Sequence, residues 1–368
     1  MLGFFMSYCY SQINKHLGSI MRQLLLVAAF ISITSCLPTP HDTFSLPEPI
    51  SNNAVASAEK DGQIWLYSFN GLLKGKNWQD VSSNAYAIQP STGETKMLTP
   101  VPGNKGRLAS IAATVNNKIY IFGGYTVEQD HSEVSTPEVY RFDPVTENYQ
   151  LVTQMPTPVD DSVALVYQDR YIYLISGWHN DGNVNLVQIL DTKNMSWLQA
   201  TPYPGSPVFG HAAGIVDNKI IVSDGVKVLK VVDGKRQYGM SHENYYGEID
   251  KNNITQIRWK KIAQHPGPAR YRMAATGSSK RNQIIFAAGS DNPYNYNGIG
   301  YNGIPSEPND IVFAFDFSDH AWKELVKQVP ATMDHRALLE VNNQFYIVGG
   351  MLGQQKTTNR LSSFSLKK

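Results

Sequence analysis

Cysteine is almost absent from this chain: Cys9 and Cys36 are the only two, and both precede everything that reads as folded domain. Structural disulfides, a cysteine-ligated zinc and a cysteine nucleophile are thereby excluded from the body of the protein. An excess of one charge sign is absent too, since 32 Lys and Arg face 31 Asp and Glu with neither a basic stripe nor an acidic tail. Nucleic acid is therefore not expected as a partner. After about residue 43 there is no convincing amphipathic helix, no Gly-x-Ser-x-Gly elbow and no phosphate loop. His131, His179, His211, His242, His265, His320 and His335 show no close metal-ligand spacing, so neither a metal nor another cofactor is expected.

Long hydrophobic runs are lacking as well, with one informative exception. Arg22 precedes the apolar stretch Leu24–Ile31, which leads into Ser32-Ile33-Thr34-Ser35-Cys36. A positive residue, a short apolar segment and small residues before a processing point describe a secretory signal, and the run is too short to span a bilayer as a helix. Ile33-Thr34-Ser35-Cys36 resembles the lipobox of bacterial lipoproteins, which implies that Cys36 is lipidated and becomes the first residue. Residues 1–36 are thus expected to be a lipoprotein signal peptide, with Met21 as an alternative true start, and residues 37–42 a short tether. Several acyl chains on one cysteine suffice for stable anchoring. In a Gram-negative envelope, Leu37 after the cysteine favours the outer membrane. An exported protein facing the periplasm or the cell surface is expected.

From residue 43 to 368 the chain reads as all-β: short β-branched and aromatic runs separated by Asn, Asp, Gly and Pro clusters. Apolar residues make up 42% and aromatics 11%, enough for a sizeable core. One unit recurs. Its clearest copy begins Arg107-Leu108-Ala109-Ser110-Ile111, turns at Asn116-Asn117 and closes on Ile119-Tyr120-Ile121-Phe122-Gly123-Gly124. It continues through Glu138-Val139-Tyr140-Arg141-Phe142 to Tyr149-Gln150-Leu151-Val152. Closing glycines recur at 124, 177, 225, 289 and 350, spacings of 53, 48, 64 and 61, and a degenerate first copy lies at Gln63–Phe69. Roughly 50 residues per four-stranded unit is a propeller period.

With its double glycines and its fourth-strand aromatics Tyr149, Trp197, Trp259 and Trp322, the chain resembles the kelch family over nearly the whole region. The resemblance implies a six-bladed β-propeller of four-stranded antiparallel blades. The last copy stops one strand short at Leu361–Leu366, and Thr43-Phe44-Ser45-Leu46-Pro47-Glu48-Pro49 reads as its missing fourth strand. An N-terminal strand is therefore expected to close the last blade and hide two sheet edges.

Function is expected on the face that carries the segments leading into each first strand and the loops between second and third strands. The lead-in segments supply Arg107, Asp160, Asp161, His211, Arg270, Arg272, His335 and Arg336. The loops supply Trp178, His179 and the run Asn292–Asn302 with Tyr294, Tyr296 and Tyr301. A cationic ring of Arg107, Arg270, Arg272 and Arg336 suits a carboxylate or polyhydroxylated ligand, and the tyrosines offer flat faces for a sugar ring or a protein. Each lead-in charge has the alternative of bonding neighbouring carbonyls.

By overall pattern the exported branch with N-acetylneuraminate epimerases (sialic acid mutarotases) is the one this chain resembles. That family implies a glutamate base just after a strand-closing glycine; Tyr125, Trp178, Val226, Ser290 and Met351 hold those positions here. Two readings follow. One is a monomeric, membrane-anchored module binding a glycan or a protein through its loop face. The other is a periplasmic sugar mutarotase or epimerase with Asp161 or His211 as base.

Overall fold

The computed structural model describes residues 44–325 and 329–366. The segment expected to be a signal peptide, Cys36 and the expected tether lie outside them. Among the described residues, six antiparallel sheets of three or four strands follow one another along the chain, with four two-stranded ribbons besides. Blade 1 is built from Ala54–Lys60, Gln63–Leu72, Val81–Ile88 and Thr95–Leu98, and blade 2 from Ile111–Val115, Lys118–Phe122, Glu138–Asp143 and Asn148–Gln154. Blades 3, 4 and 5 repeat the plan with first strands at Val163–Tyr167, Ala212–Val216 and Ala274–Ser278. Blade 6 has three strands of its own, Leu339–Val341, Gln344–Val348 and Leu361–Ser365.

Local sequence explains the strand pairs. In blade 2 the Asn116-Asn117 dipeptide takes left-handed dihedrals at both residues (φ 48° and 56°) and lets Val115 pair with Lys118. Asn342-Asn343 does the same in blade 6 (φ 52° and 64°). Asparagine tolerates this region, and such mirror-image turns match the twist of the flanking strands.

First strands lie innermost and carry small residues because they crowd the axis. Ala56, Ala112, Ala164, Ala213, Thr276 and Ala337, one per blade, line a central channel of about 240 Å³. Further out, apolar clusters fill the spaces between adjacent sheets. The fourth-strand aromatics each donate back to the exit of the preceding blade. Tyr149 Oη donates to the Thr99 carbonyl at 2.9 Å, and Trp197 Nε1 to Thr153 Oγ1 at 3.1 Å. Trp259 Nε1 reaches the Thr201 carbonyl at 3.3 Å and Trp322 Nε1 the Ala263 carbonyl at 2.7 Å. A large ring with one polar handle thus fills the gap and fastens one blade to the next.

The N-terminal closure takes the expected place but is shorter than a whole strand. Leu46 N–H donates to the Asn359 carbonyl at 2.8 Å and Leu361 N–H to the Phe44 carbonyl at 2.9 Å, around a single Ser45–Arg360 ladder pair. Pro47 has no N–H to extend the ladder. Beyond it the chain turns toward blade 1, where Glu48 accepts from Asn84 Nδ2 at 2.8 Å and from the Tyr86 hydroxyl. Leu46 and Ile50 are buried with Val55, Leu66, Tyr86, Val348 and Leu361 in the seam between blades 6 and 1.

Candidate functional site

Before each first strand, the residue leading in pairs with the residue after the closing glycine of the same blade. The pairs are Ser51–Leu72, Leu108–Tyr125, Asp160–Trp178, Phe209–Val226, Tyr271–Ser290 and Met333–Met351. The next residue in each blade turns to the axis on left-handed backbone: Asn52, Ala109, Asp161, Gly210, Arg272 and Asp334 (φ 50–75°). Backbone hydrogen bonds link these turns from blade to blade, as from Gly210 N–H to the Asp161 carbonyl (2.7 Å) and from Arg272 N–H to the Gly210 carbonyl (2.8 Å). Six loops are thereby clamped into one rim.

Asp161 is the hub of that rim. Arg272 donates to it from Nε at 3.0 Å and Nη2 at 2.5 Å, Arg336 Nη1 donates to its other oxygen, and the Tyr271 hydroxyl donates at 3.1 Å. Arg272 Nη1 also donates to Asp334 at 2.8 Å, while Arg336 Nη2 donates to Asn52 Oδ1 at 2.9 Å. Although burial opposes its charge, the two guanidiniums hold the Asp161 carboxyl below the usual range. A carboxylate so fully engaged is a poor proton acceptor. Burial lowers His211 to about 4, which makes it a weak base.

The cationic ring expected from Arg107, Arg270, Arg272 and Arg336 does not form. Arg272 and Arg336 are spent on Asp161, Asp334 and Asn52. Arg107 is buried, donates to Glu138 at 3.1 Å and lies over the Tyr140 ring. Arg270 is buried, with its backbone N–H on Asp224. Two further residues are also structural. His335, lowered to about 3 by burial, shares a 3.0 Å hydrogen bond with Thr332 Oγ1, and His179 Nδ1 lies 2.6 Å from the Pro158 carbonyl. Tyr294 is no free stacking face, since it is wholly buried edge-on against Tyr271.

What remains open is a pocket of about 100 Å³ above the hub. Its walls are Tyr125, Trp178, Phe209, Tyr238, Tyr296 and Tyr301, and its polar groups are Glu133, Asp160, Asp161, Arg272 and Asn295. The rings brace one another: Tyr238 lies 4.3 Å from Tyr301 centroid to centroid, and Trp178 packs T-shaped on Phe209 at 5.4 Å. Asp160 accepts from Ser135 Oγ at 2.6 Å, and burial lifts its carboxyl well above the ordinary range. Glu133 is exposed by surface area yet densely surrounded. That crowding, opposed by Arg272 and seconded by Asp161, raises its carboxyl to about 7.

Of the residues expected from sequence, the fold brings Asp160, Asp161, Trp178, Arg272, Tyr296 and Tyr301 together here. Glu133 and Tyr238 come from irregular second-to-third loops that follow no period; Asn295 lies within the expected run 292–302, and Phe209 holds the lead-in position that Asp160 holds in blade 3. The histidines, unremarkable in spacing, behave differently from expectation at one place: His242 and His265 converge on Asp224.

Comparison with known proteins agrees with the architecture. A family profile described as the KLHDC2/KLHL20/DRC7 Kelch-repeats domain matches residues 54–289. The chain is 24% identical over 320 residues to the N-acetylneuraminate epimerase of Pasteurella multocida (strain Pm70), covering 74% of this chain and 81% of that protein. It is 24% identical over 327 residues to Kelch domain-containing protein 1 of Homo sapiens, covering 78% and 67% respectively. The solved structure "Structure of YjhT" superposes with a TM-score of 0.69 at 15% identity, covering 88% of this chain and 97% of that one, a likeness of fold. With the repeat, the blades and the matching profile in agreement, the chain belongs to the kelch-repeat family.

Proposed function

We propose that this propeller is an exported, lipid-anchored module that binds a neutral, hydroxyl-rich glycan in the pocket above Asp161. The observation that carries this reading is the pairing of aromatic walls with three acidic side chains and a single guanidinium, that of Arg272, which is already committed to Asp161 and Asp334. Aromatic faces stack on the apolar side of a sugar ring, and carboxylates accept from its hydroxyls. A free carboxylate ligand would meet the charged Asp161 with no spare cation among the pocket's lining residues to hold it, so a neutral sugar is favoured over a sialic acid. The anchor is Cys36, supported by the motif before it.

Calorimetric titration with neutral oligosaccharides, N-acetylhexosamines and N-acetylneuraminate tests this. Neutral sugars should bind, with Trp178→Ala and Tyr296→Ala each weakening affinity about tenfold, as expected for loss of roughly 1–3 kcal/mol of stacking. Preferential binding of N-acetylneuraminate, or indifference to Trp178→Ala, overturns it.

A second reading is favoured by one specific observation. A carboxyl raised to about 7 in a pocket is suited to acid–base proton transfer at an anomeric centre, and Glu133 is such a group. On this reading the protein is a sugar epimerase or mutarotase; its Pasteurella relative is named an N-acetylneuraminate epimerase. Anomer exchange followed by NMR should then be accelerated by the wild type and not by Glu133→Gln. Equal exchange in both removes this reading.

A further inference from the structure

Asp224 occupies a position where other blades avoid an acid. It directly follows the second strand of blade 4, Lys219–Ser223, at the place held by Gly123 in blade 2, Ser176 in blade 3, Ala288 in blade 5 and Gly349 in blade 6, each one residue before the closing glycine. Its backbone is left-handed (φ 62°) and its side chain has no exposed surface. In blade 2 a Cβ at Gly123 would come within 2.5 Å of Met155 Cε. The residue equivalent to Met155, before the proline that ends each blade, is Val101, Tyr203 or Val329 elsewhere; in blade 4 it is His265. The two departures from the repeat therefore coincide, and they touch: His265 Nε2 lies 2.6 Å from Asp224 Oδ2.

The protons at this contact decide what it is for. His265 Nδ1 faces the Pro266 carbonyl at 2.9 Å. A carbonyl only accepts, so Nδ1 carries the hydrogen and a neutral ring turns a bare lone pair at Nε2 toward the carboxylate. Two acceptors at 2.6 Å repel unless a cation stands between them, either a proton or a metal ion. The other oxygen, Asp224 Oδ1, is buried without a hydrogen-bond partner and lies 3.9 Å from His242 Nε2, which has none either. All three donor atoms fall within 4.8 Å of one another, the one such group among the described residues. His242 is partly exposed on the loop before the third strand, with its Nε2 turned inward.

We infer that Asp224, His242 and His265 form a binding site for a divalent transition-metal ion of the zinc class, distinct from the glycan pocket. Imidazole and carboxylate donors suit zinc rather than calcium or magnesium, which take all-oxygen shells. The bond from His265 Nδ1 to a backbone carbonyl is the outer-shell contact that orients a ligating histidine. Metal binding replaces the proton between Nε2 and Oδ2, which leaves to solvent. The ion ties the end of the second strand of blade 4 to the connector running into blade 5, where Arg270 N–H also donates to Asp224 Oδ2 at 2.8 Å.

The test uses the full-length protein stripped with a chelator and then titrated with Zn²⁺ alone, followed by calorimetry in two buffers and by thermal unfolding. One ion should bind with release of a proton and a rise in Tm, and Co²⁺ should give the visible absorption of a tetrahedral nitrogen–oxygen site. Ca²⁺ and Mg²⁺ should do neither. His242→Ala, at a partly exposed position that leaves the fold intact, should weaken Zn²⁺ binding by at least about tenfold. Asp224→Asn should weaken it further and lose the cobalt spectrum. Absence of Zn²⁺ binding by wild type, or binding that survives His242→Ala unchanged, shows that a proton alone fills the contact and overturns the assignment.

Discussion

Two buried aspartates on left-handed backbone, Asp161 and Asp224, make an instructive pair. Both lie in loops at the blade ends, and both are almost without exposed surface. Asp161 has each oxygen met by a guanidinium from across the axis. Asp224 has one oxygen met by a backbone N–H and a histidine, and the other oxygen bare. A saturated buried charge fastens a structure; an unsaturated one costs desolvation and is retained where something binds. The difference separates a clamp from a site, although composition makes the two aspartates look alike.

The largest effect is expected from breaking the saturated member. Asp161→Ala leaves Arg272 and Arg336 buried with Asp334 as their remaining charge partner, and should cost about 3–5 kcal/mol of stability in urea unfolding. A loss below about 1 kcal/mol would mean that Asp334 and Asn52 hold both guanidiniums unaided. Asp224→Asn in metal-free protein should cost less, about 1–3 kcal/mol, because one contact is replaced and the bare oxygen had no bond to lose. Equal costs would erase the distinction.

Acid should also act on the Asp161 neighbourhood. His211 and His335 are held at about 4 and about 3, below the ordinary 6.5, so the unfolded chain takes up their protons first. Stability is then full above pH 6.5 and falls as pH drops toward those values, which a Tm series between pH 7.5 and 4 measures. His211→Gln should flatten part of that slope. Glu133 works with the opposite sign and the smallest amplitude. Its folded value of about 7 exceeds the ordinary 4.5, so its contribution is present at acid pH and is lost as pH rises through 7. Glu133→Gln should remove that loss while leaving the Asp161 clamp untouched; unchanged pH dependence would show that its carboxyl titrates as in water.

Much of this molecule was legible beforehand. The spacing of Gly124, Gly177, Gly225, Gly289 and Gly350 marks where each blade's own lead-in segment crowds the backbone, as at Gly177, where a Cβ would come within 2.8 Å of the Asp160 carbonyl. Tyr149, Trp197, Trp259 and Trp322 announce the inter-blade fillers, and the short last copy announces a borrowed strand. The site was legible only in part. Of the candidate residues, Asp160, Trp178, Tyr296 and Tyr301 come together in one pocket, yet Tyr294 from the same run turns inward, since one tyrosine in an irregular loop looks like the next. Glu133 carries no signal in the sequence because the crowding that raises it comes from other blades.

The sequence by itself determined the period, the strand alternation and the residues that every blade uses in the same way, because these depend on contacts within a repeat or between adjacent copies. Only the tertiary structure decided which charges meet. Asp161 and Arg272 are 111 residues apart, and Asp161 and Arg336 are 175. A repeat says which positions are equivalent around a ring. Closing that ring decides which equivalent positions face each other, and that put two of the four expected cations, Arg272 and Arg336, into a neutral clamp and brought two unremarkable histidines to one aspartate.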